Sequence, residues 1–205
     1  YYNRLASAYD AELDRTITRN LGTVDKYGFD GSVAWQPVRN FSLYVFGSYL
    51  KSDIKEDVLA GKTCRSSDSA FCYTDGGFAY YETSGRREAG APKFTVGTRA
   101  QGTLGPVDLG FQVKRTGERY LNDINTIELP GYTVADADIR LNLGYFDEDL
   151  DKAYFQVNIT NLFDEVYIGS APTGLTTGAE YVNIGSPRAI TASLTSSCST
   201  DTPNC

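Results

Sequence analysis

The sequence predicts an all-β fold, specifically a transmembrane antiparallel β-barrel wall of about eight strands, from two observations. Apolar and polar residues alternate strictly along several segments, and the connections between those segments are short and long in turn. The clearest segment is 107–115, where Val107, Leu109, Phe111 and Val113 alternate with Asp108, Gly110, Gln112 and Lys114. A helix would scatter these side chains around its axis, whereas a strand sorts them onto two faces. At about 3.3 Å per residue and a tilt near 45°, such a strand crosses the apolar band of an outer membrane.

Taken in chain order, a weaker alternation at 3–11 begins the series, and 27–36 follows with Tyr27, Phe29, Val33 and Trp35 against Gly28, Asp30, Ser32 and Gln36. Segments 41–50 and 94–104 come before 107–115. Residues 135–145 set Ala135, Ala137, Ile139, Leu141, Leu143 and Tyr145 against Asp136, Asp138, Arg140, Asn142 and Gly144. Residues 153–163 repeat the design with Ala153, Phe155, Val157 and Ile159, and 181–194 is a weaker last member.

The connections 36–40, 104–106 and 146–152 are short, while 10–25, 52–90, 117–131 and 164–180 are long. In an outer-membrane barrel, long loops face the exterior and short turns face the periplasm. That layout puts Trp35 at the periplasmic interface, where an aromatic ring is favoured. A soluble sandwich or lipocalin-like barrel alternates in the same way, so the loop layout and an apolar face of Leu, Val, Phe and Ala decide against it.

Composition agrees and narrows the function. The chain of 205 residues is 41% hydrophobic and holds 15 Tyr, 10 Phe and 20 Gly. No run approaches the roughly 18 apolar residues that a spanning helix needs. The formal charge of −7, without a basic stripe, argues against a nucleic-acid partner. The absence of His removes His-based general bases, catalytic triads and His-ligated zinc. No catalytic residue, metal or cofactor is expected. The turn Asp147-Glu148-Asp149-Leu150-Asp151 begins like a calcium loop, but Lys152 and Asn158 stand where that loop needs Gly and Glu. Cys64 with Cys72, and Cys198 with Cys205, are two close pairs suited to disulfides in an oxidising compartment. Without an initiator Met or signal region, Tyr1-Tyr2-Asn3-Arg4 reads as the start of a mature or truncated chain.

Asn158-Ile159-Thr160-Asn161-Leu162-Phe163-Asp164 with Tyr167 resembles the late-barrel signature of the TonB-dependent outer-membrane receptors. Leu129-Pro130-Gly131-Tyr132-Thr133, Gly185-Ser186-Pro187-Arg188 and Tyr27-Gly28-Phe29-Asp30-Gly31 are similar to other motifs of that family, in the same order. The resemblance runs to about Leu194 and identifies residues 1–195 as a C-terminal barrel region, with 196–205 a polar tail. It implies a barrel of about 22 strands filled by an N-terminal plug. It also implies a Gram-negative outer-membrane location and coupling to the TonB complex. The implied partners are outer-membrane lipid and lipopolysaccharide, the plug and remaining strands, and an imported small molecule such as a siderophore, cobalamin or carbohydrate. The sequence itself departs from the family in having about eight strands, no plug and no TonB box. An open sheet cannot sit in lipid, because its edges leave backbone groups unpaired. The wall is therefore expected to be incomplete, closed on itself as an autonomous eight-stranded barrel with a structural or surface-interaction role, or paired with another chain.

Candidate residues follow from these readings. In the longest loop, Tyr80, Tyr81, Arg86 and Arg87 suit an anionic or carbohydrate ligand through stacking and bidentate hydrogen bonds. Asp30, Arg99, Asp108, Lys114, Asp136, Asp138, Arg140 and Arg188 form a polar set expected to face the lumen. The motif residues Pro130, Gly131, Tyr132, Asn158, Asn161, Leu162, Phe163, Pro187 and Arg188 are expected to shape strand ends rather than to bind or react.

Overall fold

The computed structural model describes residues 2–10, 15–64, 66–176 and 181–196. Eight strands form one antiparallel sheet in sequence order: Tyr2–Asp10, Arg15–Val38, Phe41–Ile54, Phe94–Leu104, Val107–Thr116, Tyr132–Asn142, Tyr154–Thr160 and Ala189–Thr195. Each strand pairs with its chain neighbour, as hairpin connections dictate. The first and last strands do not pair with each other among the described residues, so the sheet does not close as an eight-stranded barrel.

Several boundaries differ from the sequence reading. The expected long loop at 10–25 is largely strand, because Arg15 already pairs with Asp10 and the second strand runs 24 residues. The sequence over 15–24 shows no sustained alternation of apolar and polar residues, so the stretch did not read as a strand. The third strand continues from Leu50 to Ile54. The sixth strand begins at Tyr132 and stops at Asn142, where Leu143–Tyr145 winds into a 3-10 turn despite its alternating pattern. The seventh is shorter than 153–163, and the eighth starts at Ala189 rather than at Tyr181. The pair Cys198 and Cys205 lies outside the described residues, as does most of the 196–205 tail.

Register carries the two faces across the whole sheet. Arg140 stands opposite both Asp108 and Gln156, Asp138 opposite Asn158, and Asp136 opposite Gln112, which is itself opposite Arg99. Directly opposed residues share a face, so these side chains line one polar surface. Its reverse carries Phe29, Val33, Trp35, Val45, Val96, Phe111, Ile139, Ile190 and Leu194, all exposed. A sheet one layer thick has no second layer to bury them against. Most of the buried apolar residues, Val24, Ile54, Val58, Ala79, Tyr81, Leu121, Ile124 and Leu129, lie instead toward the long-loop end, with Ala135 in the sixth strand and Ala153 beside a short turn.

The turns obey local backbone chemistry. Leu104 and Val107 pair across the two-residue link Gly105-Pro106, where Gly105 takes φ 59° as the first position of a type II′ hairpin requires. Another device fixes the corner between the seventh and eighth strands. Asn161 sits at φ 51°, fully buried, and its backbone N–H donates to Asp136 Oδ1 at 2.9 Å. Its Nδ2 donates to the Glu165 carbonyl at 2.9 Å and the Ser186 carbonyl at 3.0 Å, and its Oδ1 accepts the Glu165 N–H at 2.9 Å. Asp164, at φ 56°, accepts the Arg188 N–H at 2.9 Å and so holds the lead-in to the last strand. The Tyr132 and Tyr167 rings stack at 4.1 Å, and a Cβ on Gly185 would lie 2.0 Å from the Tyr167 ring.

This corner gives a graded expectation. Asn161→Ala leaves three backbone groups without their partner and places Ala in the left-handed region, a loss of about 2–4 kcal/mol. Asn161→Gly removes the backbone strain only and recovers about 1 kcal/mol. Urea unfolding of the full-length protein in micelles checks this, and equal stability of the two variants would contradict the role given to the positive φ.

Candidate functional site: a cap of long connections

Three long connections meet at one end of the wall. The first holds a three-stranded sheet in which Phe78–Tyr81 lies between Val58–Gly61 and Cys72–Asp75. Cys64 and Cys72 form a disulfide at its edge. The sheet buries Val58, Ala79 and Tyr81 on one side, and on the other Leu59 and Tyr73 stand opposite Tyr80. Asp57 ties the sheet to the chain beyond it. Its Oδ1 accepts the Thr83 and Ser84 N–H groups at 2.9 and 2.8 Å, and its Oδ2 accepts the Tyr73 hydroxyl at 3.0 Å. That last bond holds the Tyr73 hydroxyl above the ordinary phenol pKa.

The four loop residues singled out from the sequence separate here. Tyr80 is half-buried and stacks on Tyr73 at 5.7 Å, while Tyr81 is buried on the inner side. Arg86 donates to the Glu82 carbonyl at 2.5 Å and to the Ile124 carbonyl at 2.7 Å, and its guanidinium lies over the Phe71 ring. Arg87 lies over the Tyr120 ring and 3.9 Å from Glu118. Both guanidinium groups are therefore engaged within the protein.

The residues that join the connections are ones the sequence reading did not select. Asn125 accepts the Arg87 N–H at 2.8 Å and donates to the Arg87 carbonyl at 2.7 Å, so one side chain closes a two-bond clamp between the first and second connections. Asp123 accepts the Ala89 N–H at 2.9 Å, and the Gly90 N–H reaches the Tyr120 carbonyl at 2.7 Å. Asn122 shapes its own turn through the Thr126 N–H at 2.9 Å, and also donates to the Thr176 carbonyl of the third connection at 2.9 Å. Arg119 donates to the carbonyls of Ile168 and Gly169 at 2.8 and 3.0 Å. The available signal was the run Leu121-Asn122-Asp123-Ile124-Asn125-Thr126, since Asn and Asp satisfy backbone groups wherever ladders stop.

On the polar face, Arg99 pairs with Asp138 at 2.8 Å, and the Arg140 guanidinium lies 3.7 Å from the centre of the Tyr154 ring. Asp108 accepts from Thr103 at 2.7 Å and from Asn142 at 2.9 Å. Asp138, Arg140, Asp108, Arg39 and Gln156 line a concavity of about 350 Å³ near the short turns. Asp30 and Lys114 line a second hollow with Tyr44 and Phe46, two aromatics on the polar face that strict alternation passed over. Asp136 is committed to Asn161, and Arg188 precedes the last strand rather than lying within it.

The clamp makes the two connections exchange-protected together. With Asn125→Ala, amide exchange at Arg87 and its neighbours rises by about one to two orders of magnitude, from the loss of two bonds worth about 1 kcal/mol each. Unchanged exchange over 86–90 would contradict a clamp.

Comparison with known proteins places this geometry. Residues 1–162 match the family described as TonB dependent receptor-like, beta-barrel. Over 64 residues the chain is 31% identical to the ferrioxamine receptor of Yersinia enterocolitica, covering 31% of this chain and 9% of that protein. The siderophore receptor PiuA of Acinetobacter baumannii superposes with a TM-score of 0.66 at 20% identity, over 87% of this chain and 22% of its own. BauA, the ferric preacinetobactin receptor of the same species, gives 0.62 at 18% identity, over 94% and 25%. The chain thus spans about a quarter or less of the length of these relatives. With a family match over most of its residues and eight strands in the corresponding arrangement, the chain belongs to the TonB-dependent receptors and forms part of their β-barrel.

Proposed function

We propose that this chain supplies wall and exterior loops to an outer-membrane receptor that imports a ferric siderophore, driven through TonB. The observation that carries the reading is a wall with an exposed apolar face on one side, a polar face on the other, and a packed cap at one end only. The apolar face suits membrane lipid, and the cap then stands among the lipopolysaccharide sugars of a Gram-negative cell. The free edges of the first and last strands need backbone partners in lipid, which the remaining barrel strands supply. An N-terminal plug would cover the polar face, where Arg99, Asp138 and Asp108 already have partners within the sheet. The relatives named as ferrioxamine, siderophore and ferric preacinetobactin receptors support ferric chelates over cobalamin or a carbohydrate. No bond is made or broken in such a process; capture and passage are binding events. Arg86 and Arg87 act in this reading as supports behind the ligand-facing surface.

Deleting the gene in an iron-starved strain is expected to abolish uptake of radiolabelled iron from at least one siderophore, with restoration by the intact gene and not in a strain lacking TonB. Unchanged iron uptake together with lost cobalamin or carbohydrate uptake would reassign the ligand. Membrane placement has its own test in two adjacent residues. Phe111→Arg puts a charge on the apolar face and costs about 2–4 kcal/mol near the bilayer centre, whereas Gln112→Arg on the polar face costs little. Equal folded yields of the two variants in outer membranes would contradict lipid contact at Phe111.

A further inference from the structure

The three connections 52–90, 117–131 and 164–180 hold thirteen Asp and Glu against six Lys and Arg, which accounts for the whole formal charge of −7. The basic groups are largely spent. Arg86, Arg87 and Arg119 are bound to carbonyls and rings, Lys55 pairs with Asp25 at 3.0 Å, Lys62 is engaged, and Arg65 lies outside the described residues. Against this acidic background, the small three-stranded sheet turns one face to solvent. Leu59, Tyr73 and Phe78 are 41%, 40% and 47% exposed there, with Tyr80 between them. Asp75 stands directly opposite Phe78 on the same face, exposed, and its carboxylate makes no hydrogen bond or ion pair among the described residues.

This platform is held from several sides. The disulfide fixes its edge strand, the Tyr73 hydroxyl is pinned to Asp57, and the Tyr73 and Tyr80 rings stack on each other. Aromatic faces carry negative potential, and a free carboxylate beside them adds to it. An anionic ligand would meet repulsion here, and among the described residues of these connections the Arg86, Arg87 and Arg119 guanidinium groups are held elsewhere. Building on the ferric-chelate reading above, we infer that the Tyr73, Phe78, Tyr80 and Asp75 face binds the protonated amine of a cationic or amine-tailed ferric chelate, and selects against polyanionic ones.

The test is equilibrium binding to the full-length receptor, using three ferric probes. One is a trihydroxamate with a protonated amine tail, the second is its neutral N-acetylated form, and the third is a trianionic tris-catecholate. The amine-tailed probe is expected to bind roughly two- to thirtyfold tighter than its acetylated form, as cation–π contact allows. Asp75→Asn is expected to narrow that preference roughly two- to fivefold while leaving the acetylated probe's affinity unchanged. High salt should narrow it as well. Equal binding of the first two probes, tightest binding of the tris-catecholate, or equal losses for both hydroxamates in Asp75→Asn would overturn the inference while leaving the ferric-chelate reading intact. If none of the three binds, the ferric-chelate reading fails and this inference falls with it.

Discussion

A sheet one layer thick must satisfy its backbone sideways, because it has no packed interior to rely on. The inner wall strands pair with a neighbour on each side, and the alternation of side chains then assigns one face to apolar surroundings and the other to polar ones. The exposed row from Phe29 to Leu194, which would be an aggregation hazard on a soluble protein, follows from this constraint. So does the gathering of most buried apolar residues at the long-loop end, in the connections and in the strand ends at Val24 and Ile54, where the chain folds back on itself and can exclude water.

Where the ladder ends, Asx side chains take over its work. Asn125, Asn161 and Asp164 adopt positive φ at points where the chain must turn, and each then uses its side chain to hold a backbone group across the turn. Asn161 and Asp136 illustrate the coupling between wall and connection. A carboxylate on the sixth strand accepts the backbone N–H of a residue whose own side chain reaches the lead-in of the eighth. The sequence motif is thus a description of a corner, with Tyr132, Tyr167 and Gly185 completing its packing.

The same logic separates support from surface in the cap. Arginines committed to carbonyls and to Phe71 or Tyr120 tie the connections together, and the small sheet turns Tyr73, Phe78 and Asp75 toward solvent. A rigid surface presents its ligand contacts without an ordering cost at the moment of binding.

The sequence by itself determined the wall: period-two alternation is a local property, so Val107–Thr116 and Phe94–Leu104 could be read almost residue for residue, and hairpin order followed from short links such as Gly105-Pro106. The motif around Asn161 was legible too, since Asn-Leu-Phe-Asp is contiguous. The long second strand was hidden because pairing with the first strand, rather than side-chain pattern, extends it to Arg15. The cap was hidden for a related reason. Whether Arg86 faces a ligand or Ile124, and whether Tyr80 or Tyr81 points outward, depends on contacts between residues some forty positions apart and on the register of a small sheet. Only the tertiary structure decided these, because a charged or aromatic side chain in a connection takes whichever partner the fold brings within reach.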